Sequence, residues 1–261
     1  MIASARYTWI LLRRPALLWS GIGAVAAFGI AVTVATFFTA SRPGGSRLGP
    51  IPLTIETMGA VGVPADLVGR ILMITGAVTL AVAAAHVGGV FSTGLVRTIF
   101  VRQPHRTTWL LGTWLTLCGL TVALTLIGSI TVLATATALA SAYGVDTAAW
   151  FTPEGLSLAA IRTLGVAAAL IGFTTAGMLL AVLTRSAIVA IGIGLGYGLF
   201  EGLLSATLGD AGRFLPAQTL AVVSRGTADP WFFFATLIAA ALIGACLTVA
   251  AVTLHRRDIT Q

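Results

Sequence analysis

Six long apolar runs alternate with short segments that hold nearly every charge. The first run is Leu17 to Phe38, ending at the loop signal Ser41-Arg42-Pro43-Gly44-Gly45. The second extends from Ile71 to about Phe91 with His86 as its one polar intruder, and the third from Trp109 to about Ala142. The fourth covers Ser157 to Leu183, the fifth Ala187 to Ala206 and the sixth Trp231 to Leu254. A helix needs about 20 apolar residues to cross the hydrocarbon core, and each run meets that length. The third is longer than one crossing requires, which implies tilt, protrusion or a bend at Gly128. Strands are a poor alternative, because membrane strands are short and alternate polar with apolar residues, whereas these runs are apolar on all sides. In lipid every backbone group must be satisfied within the segment, which a helix does. The pattern therefore predicts an all-α polytopic membrane protein, with residues 1–261 forming a single transmembrane domain.

Composition agrees. Hydrophobic residues make up 57% of the chain and charged residues 9%, with a mean hydropathy of +1.01, against about 25% charged residues in an ordinary soluble domain. All 15 basic residues are arginine, and their placement sets an orientation. With six crossings and the N-terminus inside, the inner pieces hold Arg6, Arg13, Arg14, Arg97, Arg102, Arg106, Arg185, Arg256 and Arg257 against Asp258 alone. The outer pieces hold Arg42, Arg47, Arg70, Arg162, Arg213 and Arg225 together with Glu56, Asp66, Asp146, Glu154, Asp210 and Asp229. Basic excess marks the cytoplasmic side, so both termini are expected inside, in the inner (plasma) membrane of a cell. The net charge of +7 follows from this bias and does not point to nucleic acid, because the arginines are spread over separate helix ends. Membrane lipid is the expected surrounding partner.

The apolar run after the early arginines is longer than the core of a secretory signal, so it reads as a retained crossing. Residues 1–16 before it mix aromatic, apolar and basic types. Two readings fit: a helix lying in the inner interface, or a short basic tail that orients the first crossing. Cys118 and Cys246 fall inside spans and read as small apolar residues. The loop from Thr39 to Gly69 is expected outside, with Pro52 to Met58 near the membrane surface. The short stretch 212–223, within an outer segment of residues 207–230, is helical by pattern but too short to cross, so an interfacial or re-entrant position is expected.

Catalytic constellations are missing from the sequence. His86, His105 and His255 are scattered, without metal-ligand spacing, and no Gly-x-Ser-x-Gly elbow occurs. The chain has no lysine, which excludes the Gly-x4-Gly-Lys-Ser/Thr phosphate-binding loop. An ATPase of that kind, if one is needed, is a separate chain. No cofactor or metal is expected in this one.

Residues 92–107 carry the most specific signal. Ser92 or Thr93 is expected to cap a short helix whose face is formed by Leu95, Ile99 and Gln103, with Pro104 ending it. Such an amphipathic element suits a groove on another protein. This link resembles that of permease subunits of type-2 ATP-binding-cassette exporters, typically Glu-Phe-x-x-Gly-Thr-x-Arg-Thr-x-Leu-x-x-x-Pro-x-Arg. Phe91, Gly94, Arg97, Thr98, Pro104 and Arg106 fit in register, while Val90 stands in place of Glu and Leu95 in place of Thr. The resemblance implies that Gly94, Leu95, Arg97, Thr98, Ile99, Arg102, Pro104 and Arg106 meet cytoplasmic ATPase subunits that bind ATP and magnesium. It also implies a second permease, identical or homologous, and transport of drugs, lipids or glycan precursors. The Leu215-Pro216 pair fits the family's short outer re-entrant helices between the fifth and sixth crossings.

In that family the first and fifth crossings form the permease–permease interface. Here the fifth carries Gly192, Gly194, Gly196 and Gly198 in overlapping Gly-x-x-x-Gly pairs that extend to Gly202, and the first offers Gly21, Gly23 and Ala27. Small residues allow close helix approach where lipid removes the hydrophobic drive. The same glycines could instead pack within one subunit. Glu201 and Arg162 lie at similar depth and are expected to pair or to face a common aqueous cavity. His86 reads more simply as a helix–helix hydrogen-bond partner than as a proton relay. Two further functions compete with the exporter permease: a non-transporting scaffold or accessory subunit, and a membrane enzyme.

Overall fold

The computed structural model describes residues 8, 15–42, 45–46, 53–102, 105–226 and 229–256, apart from the side chains of 15–18, 73 and 102. The expectation for residues 1–16 lies mostly outside them; Thr8 is described there, its hydroxyl 3.2 Å from that of Thr113, and Pro15 and Ala16 already belong to the first long helix.

Nine α-helices are described. They are α1 (Pro15–Ala40), α2 (Val63–Gly69), α3 (Leu72–Ser92), α4 (Leu95–Arg102), α5 (Arg106–Ala142), α6 (Pro153–Thr184), α7 (Ala187–Leu208), α8 (Pro216–Arg225) and α9 (Phe232–Arg256). No strand occurs among the described residues; Ser46 and Leu53 form an isolated antiparallel bridge. Six helices, α1, α3, α5, α6, α7 and α9, are long and apolar enough to cross a membrane, and the chain is a multi-pass membrane protein. Their order places α4 and the α6–α7 turn at one end of the bundle, here the link end. The other end, the cap end, holds α2, α8 and three short 3-10 turns.

Helix α6 is the hub and touches α2, α3, α5, α7, α8 and α9. Its glycines explain how. A Cβ on Gly165 would stand 2.8 Å from the Ser224 carbonyl of α8, one on Gly172 would meet the Leu220 side chain, and one on Gly177 would strike the Leu80 carbonyl of α3. Close approach matters here because dispersion and hydrogen bonding, not water exclusion, hold helices together in lipid. Between α5 and α6 the Trp114 indole donates to Thr175 Oγ1 at 2.9 Å, and the Thr121 and Thr174 hydroxyls lie 2.8 Å apart. Thr116, Thr125 and Thr131 bond back to their own helix, the local alternative open to threonine.

Helix α5 runs unbroken for 37 residues. Gly128, a candidate bend point, serves contact instead: its missing Cβ makes room for Val25 of α1, and Gly29 of α1 packs on Val132. At the cap end, Leu53 and Met58 are buried with Phe37, Val68, Ala136 and Trp150, and the Trp150 indole donates to the Met58 carbonyl at 3.0 Å. Of the Pro52–Met58 stretch expected near the membrane surface, Pro52 lies outside the described residues, Leu53 and Met58 insert into the chain's own core, and Glu56 and Thr57 between them are exposed. A two-residue turn joins α6 to α7: Arg185 takes a left-handed conformation (φ 55°), and Ser186 caps α7 by accepting from the Val189 amide. Gly88 of α3 leaves space for the start of α7.

Candidate functional site

The link begins where α3 stops. Thr93 Oγ1 donates to the Gly89 carbonyl at 2.7 Å and Ser92 Oγ to the same carbonyl at 3.3 Å. These hydroxyls close α3 rather than cap the next helix, which corrects the expected start. Gly94 then turns the chain with φ +70°, a conformation glycine adopts without penalty. Helix α4 follows from Leu95.

Its buried side is Val96 and Ile99, flanked by half-buried Leu95 and Phe100. The expected face of Leu95, Ile99 and Gln103 is therefore rotated; Gln103 and Pro104 lie outside the described residues. The rotation has a clear cause. The Trp109 ring meets Phe100 edge-to-face at 5.4 Å and Phe91 at 6.4 Å, which draws the apolar side of α4 back onto the start of α5. Arg106 fixes the same corner, donating to the Leu254 carbonyl of α9 at 2.5 Å with its guanidinium over the Phe100 ring. What α4 presents outward is Arg97, Thr98 and Val101, the last 86% exposed. Arg102 ends the helix. A contact made here would be basic and polar at its centre.

The glycines divide into two groups. Gly21 is buried against Leu124 of α5, and Gly194 is buried against the Leu80 side chain of α3, so both serve packing within the chain. Gly23, Gly192, Gly196 and Gly198 are exposed or half-exposed, and a Cβ on any of them would meet nothing within 4 Å. Around them α7 exposes Ile188, Ile193, Leu199 and Leu203.

At the cap end, Glu201 is the most buried charged side chain described, 1% exposed. Its Oε1 accepts from the Ala217 amide at 2.6 Å and the Gln218 amide at 3.0 Å. These are first-turn amides of α8, which begins at Pro216 and has no side-chain cap of its own at Leu215. Carboxylates are stabilised at a helix N-terminus by those N–H groups and by the aligned peptide dipoles. The helix start at 216, rather than at 212, follows from the proline, since its fixed φ and missing N–H suit the first helical position. A 3-10 turn, Gly209–Phe214, precedes it.

Arg162 is elsewhere, which overturns its expected pairing with Glu201. Its guanidinium lies against Gly69 of α2, where an added Cβ would push it aside. It lies within electrostatic range of Asp66 and Arg225, without an ion pair to either among the described residues. Burial raises the Asp66 carboxyl above its usual 3.8, and Arg162 and Arg70 pull it part of the way back. The reason is local: Glu201 has two amides of α8 within reach, while Arg162 lies against α2, where Asp66 acts on it only electrostatically. His86 is half-buried on α3 and makes no hydrogen bond among the described residues. Among them no three His, Cys, Asp or Glu side chains come together as a metal site.

No curated protein matches the chain in sequence. A family model described as "Protein of unknown function (DUF2705)" matches residues 65–260, which takes in the link, the hub helix, the Glu201 cap and α9. The chain belongs to this DUF2705 family.

Proposed function

We propose that the chain is the transmembrane permease subunit of an ATP-driven exporter, working as a dimer with itself or a homologous permease and coupled to separate cytoplasmic ATPase subunits. The observation that carries the reading is the link: the exporter-like residues Phe91, Gly94, Arg97, Thr98 and Arg106 lie in one corner. There α4 turns Arg97 and Thr98 outward while its apolar side is anchored on Trp109. An element that is exposed on one side and wedged into the helix bundle on the other can pass a partner's movement to the spans. The open glycine face of α7, with Gly23 of α1, supplies a surface for the second permease.

In this reading both termini and the link face the cytoplasm from the inner membrane, the side the arginine bias favours. The cap end is then outside, and the α8 segment is the re-entrant outer element near the exit. ATP and magnesium belong to the partner chain. The test is expression of the tagged chain with its genomic neighbours, followed by purification in gentle detergent. A stoichiometric soluble chain with a phosphate-binding loop is expected, and its loss on Arg97→Glu supports docking at the link. If the chain purifies without any ATPase, the exporter reading falls and the scaffold reading replaces it.

A further inference from the structure

A cleft of about 460 Å³ opens at the link end between the start of α5 and the end of α9. Its floor is apolar, formed by Leu110, Leu111, Leu247 and Val252, and its rim carries Thr107, His255 and Arg256. None of the lining residues is acidic. Leu111 and Val252 are well exposed, and α9 is one of the two least buried spans, so the cleft opens toward lipid. Next to it, Arg106 ties α5 to the Leu254 carbonyl of α9.

We propose that this cleft binds one anionic phospholipid, with an acyl chain against the Leu110–Leu247 floor and the phosphate head at His255 and Arg256. Three observations favour that occupant. A hydrocarbon-facing cleft between spans is filled by acyl chains, because no water is available to fill it. Arg256 makes the rim basic, no acid lies among its described lining residues, and basic pockets between spans recognise anionic heads. The first turn of α5 contains no acid, and no side chain caps it, so its peptide dipole adds positive potential at the same rim. A second copy of the chain fits less well, since its link end would bring Arg97, Arg106, Arg185 and Arg256 against like charge. The inference does not depend on the exporter reading.

The experiment is native mass spectrometry of the full chain in gentle detergent, with equal amounts of dioleoyl-phosphatidylglycerol and dioleoyl-phosphatidylcholine. Wild type is expected to retain one phosphatidylglycerol with roughly fivefold preference, about what one interfacial arginine contributes. The double variant H255Q/R256Q should bind both lipids equally, and Val252→Trp should reduce retention of both by filling the floor. The rim side chains are exposed, so unchanged elution and unfolding temperature are expected for the double variant. Equal retention of the two lipids by wild type, or a preference that survives in H255Q/R256Q, overturns the proposal. So does loss of the preference in millimolar inorganic phosphate, which would mark a plain anion site.

Discussion

The Glu201 carboxylate of α7 stands 2.6 Å from the Ala217 amide, so the first turn of α8 is capped by a different helix. Removing the acid leaves two amides at the start of α8 without their acceptor. Glu201→Ala should therefore destabilise the cap end by about 1–3 kcal/mol and open residues 209–226 to protease. Glu201→Gln keeps a carbonyl acceptor but loses the charge, and a charged hydrogen bond is roughly twice as strong as a neutral one, so its effect should be about half as large. Denaturant titration of the two variants checks the order; equal effects, or none, would remove the capping role.

Gly177 and Gly196 should differ in their response to alanine. A methyl at 177 drives into the Leu80 carbonyl, a backbone atom that cannot swing away. Overpacking of that kind costs about 1–3 kcal/mol, measurable as an earlier unfolding midpoint. A methyl at 196 meets nothing within 4 Å, so Gly196→Ala should leave unfolding within about 0.5 kcal/mol of wild type. Under the dimer proposal it should weaken self-association measured by crosslinking.

Arg97 is exposed and Trp109 is 1% exposed, which separates docking from folding at the link. Arg97→Glu should leave the unfolding midpoint unchanged while removing a co-purifying ATPase. Trp109→Ala should cost about 3–5 kcal/mol, as for other large buried aromatics, and should disrupt α4 with it. A destabilised Arg97→Glu protein would argue that the side chain serves the fold.

The hydroxyl pair Thr121–Thr174 joins α5 to α6 at 2.8 Å. Interhelical side-chain bonds in membranes average about 0.6 kcal/mol in double-mutant cycles. A cycle with Thr121→Val and Thr174→Val should return a coupling of that size. A coupling near zero would place the whole contact in packing.

Much of this architecture was legible along the chain. The apolar runs located all six spans to within a few residues, because length and uniform hydropathy alone decide a crossing. The outer helix was legible as a short helical stretch, but the pattern sets its start at 212 instead of at Pro216. What stayed hidden depended on residues far apart in sequence. Ser92 and Thr93 are good caps for either neighbour, and only the left-handed turn at Gly94 assigns them to α3. The buried side of α4 was set by Trp109, beyond the link itself. Glu201 and Arg162 look like natural partners by depth, yet the arginine lies against Gly69 of α2 and α8 supplies amides to the glutamate. One signal was present: Leu215 before Pro216 cannot cap by side chain, so the helix needed an acceptor from elsewhere.

Helix α5 ties the two ends of the molecule together. Its foot, Trp109, bears α4, and its far half contributes Val132, Ala136 and Ala140 to the core that holds Met58 and Trp150. At 1.5 Å per residue, 37 residues make a strut about 55 Å long. A thrust applied at Arg97 would therefore enter α5 through a single ring contact, Phe100 on Trp109, and travel along one stiff member to the cap end.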